Sequence, residues 1–174
     1  MRQTKKLTLC AILTALGAAF MLIGVVINTL DLTVCAFASL IMVFVYLEIG
    51  SPYTYLVWIC TSLATALMSF GYYLWLEYFL LFGIYPIIKG YIERAPKSLW
   101  IVLKLAYINL LLVILYFVCE PLFGESFFNE PTNLLNVILC VLVNVAFVAY
   151  DMFITVMVRY YYAKIRPRIA KFLK

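Results

Sequence analysis

The sequence predicts an all-α integral membrane protein, a single six-helix transmembrane bundle covering residues 1–174, and three observations predict it. Of the 174 residues, 67% are hydrophobic and 12% charged, and the mean hydropathy is +1.08; soluble domains average roughly 45–50% apolar and 25% charged. Six apolar runs follow one another, separated by short polar breaks and no linker. The thirteen Lys and Arg residues fall at the N-terminus, in the Lys89–Lys104 region and in the C-terminal tail, which lie on one side of such a bundle. The net charge of +5 therefore reads as topology, with both termini cytoplasmic at the cell membrane, and not as a nucleic-acid surface.

The first span is expected over Leu7–Ile27, after the basic residues Arg2, Lys5 and Lys6. It shows no small-residue cleavage site leading into a polar chain, so it reads as a retained helix. Ala11, Ala15 and Ala19 recur at every fourth position along it, with Cys10, Thr14 and Ala18 beside them and Gly17 between. Such a stripe lets a second helix approach closely, where dispersion supplies the attraction that lipid cannot. It serves either packing inside the bundle or docking of a partner outside it.

A polar break at Asn28–Asp31 offers Thr29 or Asp31 as a cap for the second span, Leu32–Ile49. Gly50, Ser51 and Pro52 then interrupt the chain, with Pro52 suited to the first turn of the third span, Tyr53–Phe70. That span carries Thr54, Thr61, Ser62, Thr65 and Ser69, hydroxyls that either satisfy backbone carbonyls or line a polar pocket. Gly71 closes it, and a fourth span follows over Tyr72–Ile88, antiparallel to the third because almost no loop separates them. The interval Lys89–Lys97 is hydrophilic and reads as a helix end and turn. The fifth span is expected over Ser98–Cys119, and an acidic, aromatic loop at Glu120–Pro131 follows it. The sixth runs from near Thr132 to Val158, ahead of a basic aromatic tail suited to lipid headgroups.

Several chemistries are excluded. The chain has no histidine, so His-based metal sites and His general bases are impossible. The five cysteines (Cys10, Cys35, Cys60, Cys119 and Cys140) sit one per apolar segment, without metal-ligand spacing, and read as small hydrophobes. No glycine-rich phosphate loop, paired catalytic acids or filter-like glycine loop is present. Neither an enzyme nor a cofactor is expected.

The organising feature is the fourth span, where Glu77 falls roughly 7 Å inside the outer end at 1.5 Å per residue. A carboxylate at that depth is costly against lipid and is expected to face the bundle interior or a watered cavity. At about 100° per residue, Tyr73 lies about 40° from Glu77, Tyr78 about 100° and Trp75 about 160°. A pocket would use Glu77 and Tyr73, with Tyr78 at its edge, Trp75 in the interfacial belt, Asn144 at the floor and Phe127 or Phe128 as a cover. The outer half holds acids and amides but no cation, so the ligand expected is a neutral or cationic small molecule, especially a flat one. Asn109 and Asn144 otherwise read as helix–helix hydrogen bonders. Glu48, at the inner end, is expected to face headgroups or basic side chains. Lys104 and Asp151, about 9 and 11 Å from the inner ends of their spans, lie at matching depth and are expected to pair.

Three stretches together resemble the substrate-binding (S) component of energy-coupling factor vitamin transporters. The opening Lys6-Leu-Thr-Leu-Cys-Ala-Ile-Leu-Thr-Ala-Leu-Gly-Ala-Ala19 resembles that family's first helix. Leu76-Glu77-Tyr78, with Pro86 and Gly90 after it, is similar to the fourth helix of the thiamine-specific member, and Asn144 to Asp151 is similar to the last helix. The chain departs from the thiamine-specific site in lacking histidine and in having Leu139 where a tyrosine precedes the asparagine by five positions. The resemblance implies a ligand contact at Glu77, a contribution from Asn144, and docking of Ala11, Ala15 and Ala19 on a transmembrane coupling subunit served by separate ATPase subunits. A structural or scaffolding role in the cell envelope is the competing class, and it requires a filled outer half.

Overall fold

The computed structural model describes residues 3–27, 31–69, 71–123 and 133–168. Among them the structure is an all-α bundle: α1 (Gln3–Ile27), α2 (Asp31–Glu48), α3 (Ser51–Met68), α4 (Leu74–Glu77), a π turn (Tyr78–Phe82), α5 (Tyr85–Ile92), α6 (Lys97–Phe123), α7 (Asn133–Tyr160) and a second π turn (Tyr161–Ile165). The caps expected at Thr29 and Thr132, the Asp31 side chain and the loop carrying Phe127 and Phe128 lie outside what is described. Three helical stretches are long and apolar enough to cross a membrane: Gln3–Ile27, Lys97–Val118 and Leu134–Arg168. Leu32–Glu48 is apolar but shorter. The hydroxyls and tyrosines of α3 make it less apolar than these.

The turns fall where the sequence punctuates itself. Gly50 and Gly71 hold φ at 105° and 112°, a region closed to most L-residues by their Cβ. Pro52 occupies the first turn of α3, where its missing N–H leaves no helical bond unmade. The four hydroxyls Thr54, Ser62, Thr65 and Ser69 each donate to the carbonyl four residues earlier, at 3.0, 2.8, 2.8 and 2.6 Å. Of the two roles the sequence left open, these four adopt backbone satisfaction, while Thr61 Oγ1 is buried without such a bond.

Helices α1, α2 and α3 pack on one another, and the α4–π–α5 segment packs between that group and α6, while α7 lies on α6 and α2. The inner face of α1 is built from Cys10, Gly17, Ala18, Met21 and Gly24. A Cβ on Gly17 would come within 3.1 Å of the Thr61 methyl, and one on Gly24 within 3.1 Å of Leu74. The core continues through Cys35, Met42, Val45, Val57, Tyr78, Phe82 and Tyr85. By contrast, only 11% of the most apolar stretch of α7 and 22% of that of α6 is buried. Exposed apolar area on this scale is what hydrocarbon, and not water, accommodates.

One end of the bundle collects the basic residues. Lys6 lies 5.5 Å over the Tyr53 ring at the start of α3, and Arg166 reaches Glu48 at the end of α2 at 3.3 Å. Lys104, early in α6, reaches Glu93 just beyond α5 at 3.3 Å. The expected basic partner for Glu48 is thus Arg166.

Candidate functional site

The segment expected as a fourth span is not one regular helix. Pro86 has no N–H to offer the Phe82 carbonyl, and a proline ring crowds the carbonyl four residues before it. The chain widens by one residue ahead of it: the Gly83 N–H skips a position and donates to Tyr78 O at 2.7 Å. Loosened carbonyls in a membrane need donors from elsewhere, and three helices supply them. Trp58 of α3 donates to Phe79 O at 3.0 Å, Tyr107 of α6 to Leu80 O at 2.8 Å, and Tyr150 of α7 to Phe82 O at 3.5 Å. In a regular helix the twelve residues from Glu77 to Lys89 would separate them by about 120°. One extra residue in the turn reduces this to about 20°. The distortion therefore puts Glu77 and Lys89 on the same, inward face.

Glu77 is 7% exposed, on a short helix that packs against α1, α2 and α3. Tyr78 is buried beside Thr61 and Cys35, and Tyr73 is half-buried, its carbonyl accepting the Glu77 N–H at 3.2 Å. Trp75 faces the other way, packing with Leu76, Leu115 and Val118. Asn144 is engaged elsewhere. It exchanges hydrogen bonds with Asn109 at 3.1 and 3.4 Å and donates to Cys140 O at 2.9 Å. Beside that pair, Asn109, Leu112, Val113, Tyr116, Phe117 and Cys140 line a largely apolar cleft of about 280 Å³ between α6 and α7. Ala11, Ala15 and Ala19 are exposed, on the side of α1 away from its buried glycines.

The basic end of the bundle holds a charge cluster that is larger than the expected pair. Lys104 Nζ meets Asp151 Oδ2 at 2.7 Å, as matching depths predicted. Lys89 joins them: its Nζ binds Asp151 Oδ1, Thr155 Oγ1 at 2.8 Å and Glu93 Oε1 at 3.0 Å. Tyr85 donates its phenol to Asp151 Oδ1 at 2.6 Å, and its ring is enclosed by Tyr107, Phe147 and Tyr150 with centroids 5.7, 4.8 and 5.6 Å away. Two lysines and two carboxylates cancel, which is the condition for holding such groups away from water. Lys89 opens the interval expected to be a hydrophilic helix end and turn, yet it lies within α5 and is 5% exposed. The signal for it was present: Tyr85, Lys89 and Glu93 recur at intervals of four, as do Asp151 and Thr155, so each set shares a helix face.

Among the described residues no group of His, Cys, Asp or Glu side chains is arranged to hold a metal ion. Comparison of the chain with protein-family models, with curated proteins and with solved structures gives no match.

Proposed function

We propose that the chain is a six-span cell-membrane protein, with both termini cytoplasmic, that captures a small neutral or cationic molecule in its outer half for uptake. The observation that carries this reading is the burial of Glu77 at 7% exposure on a short helix beside Tyr73 and Tyr78. It lies at the end of the bundle away from the lysines and arginines. A desolvated carboxylate there attracts a cation or accepts hydrogen bonds strongly, and phenol rings hold a flat ligand. Asn144 enters as a second contact only if the ligand displaces Asn109.

The exposed row Ala11, Ala15 and Ala19 supports delivery to a transmembrane coupling subunit served by ATPase subunits, as in energy-coupling factor transporters. Ala15→Leu fills that face from outside. The proposal expects coupling and ATPase subunits to co-purify with the wild-type chain, and expects the variant, still folded, to lose them. Recovery of the same subunits with Ala15→Leu would remove this docking face. A scaffolding role is favoured by the satisfaction of Thr54, Ser62, Thr65, Ser69 and Asn144 within the bundle. It expects no small molecule to accompany the purified chain.

A further inference from the structure

The second π turn, like the first, precedes a proline: Pro167 cannot donate to the Ala163 carbonyl, and the Arg166 N–H instead reaches Tyr161 O. The widened turn sorts the side chains here into two opposed rows. One row holds Tyr161, 7% exposed and edge-on to Phe44 at 5.8 Å, and Arg166, whose side chain is half exposed but is spent on Glu48 at 3.3 Å. The outward row holds Arg159, Lys164 and Arg168, all exposed. In a regular helix Arg159 and Lys164 would be about 140° apart; the extra residue reduces this to about 40°, with Arg168 one turn further along. The row is roughly 13 Å long.

The described acids at this end are already taken. Glu48 is held by Arg166, and Glu93 and Asp151 by Lys89 and Lys104. No ion pair engages Arg159, Lys164 or Arg168 among the described residues. Exposed Tyr160 and Tyr162 flank the row, with Lys164 5.5 Å over the first ring and Arg166 5.1 Å over the second. Aligned cations between amphipathic rings, on the outside of a membrane helix where it leaves the apolar region, match phosphate groups at headgroup depth.

We propose that Arg159, Lys164 and Arg168 form a binding row for anionic phospholipid headgroups at the cytoplasmic face. The inference rests on the membrane-spanning reading given above. The test reconstitutes the full chain into nanodiscs of equal parts phosphatidylglycerol and phosphatidylcholine and measures, by mass spectrometry, which lipid stays bound after extraction. Wild type is expected to retain phosphatidylglycerol selectively. Changing all three row residues to Gln is expected to lower that selectivity by about fivefold for each cation removed. The same triple change at Lys5, Arg94 and Lys97, which removes equal charge from the same end, is expected to leave it nearly intact. Pro167→Ala keeps every charge but lets the turn relax, and is expected to fall between them.

Equal losses in both triple variants would reduce the row to diffuse charge and overturn the proposal, as would no loss in either. Retention of an acidic protein in place of lipid would overturn it too. Failure of the chain to enter nanodiscs at all would instead strike the membrane-spanning reading. Unchanged melting temperatures in pure phosphatidylcholine establish that each variant is folded.

Discussion

Asp151 holds two ammonium groups on one carboxylate, and its removal is the sharpest single-residue test of the basic end of the bundle. Asp151→Asn leaves Lys89 and Lys104 sharing Glu93 alone, with side-chain exposures of only 6% and 12%. Breaking one partner out of a buried ionic cluster costs about 3–5 kcal/mol, because the remaining charge is stranded. Thermal unfolding in detergent is expected to show that loss for Asp151→Asn and a smaller one, about 1.5–3 kcal/mol, for Tyr85→Phe, which removes only the phenol donor. Equal stability of Asp151→Asn and wild type would make the cluster incidental. At this scale the sequence carried half of the cluster. The depths of Lys104 and Asp151 follow from counting residues, so their pairing was legible. Lys89 sits at the edge of an apolar run, and a cut-off on hydrophobicity assigns it to water unless its spacing with Tyr85 and Glu93 is weighed.

The α4–π–α5 segment shows what periodicity misses. Tyr72–Ile88 reads as one continuous apolar span, but the chain folds there as two short helices joined by a π turn, and a hydropathy window does not sense a single inserted residue. Pro86 was the visible cue, and the donors Trp58, Tyr107 and Tyr150 come from helices far away in sequence. Gly83 tests the segment. A Cβ there would lie 2.6 Å from Trp58 Cδ1 and 2.9 Å from Tyr78 O. Gly83→Ala is therefore expected to expel the indole, break its bond to Phe79 O and end its stacking on Phe79, now 4.5 Å between centroids. Overpacking of this kind costs about 1–3 kcal/mol. The change should appear as a shifted tryptophan emission together with a lower melting temperature. An unchanged spectrum would mean that Trp58 does not brace the turn.

For the molecule as a whole, charge placement was the most legible property, because topology depends on where lysines and arginines sit and not on how helices pack. The described basic residues do share one end. That this end is cytoplasmic is tested by cysteine labelling in intact cells on a background without native cysteines. An impermeant reagent is expected to reach Ser126→Cys and not Ser98→Cys, and the reverse pattern would invert the chain. The site was less legible than the charge placement, since Asn144's pairing with Asn109 depends on how α6 and α7 register against each other. The central claim, that buried Glu77 binds a captured solute, is tested most directly by mass spectrometry of what accompanies the purified protein, followed by calorimetry with that compound. Glu77→Ala is expected to abolish binding. Glu77→Gln is expected to cost about 1–2 kcal/mol for a neutral ligand and several kcal/mol for a cationic one. Equal affinity of wild type and Glu77→Ala for the co-purified compound would contradict the claim and leave the carboxylate a structural group.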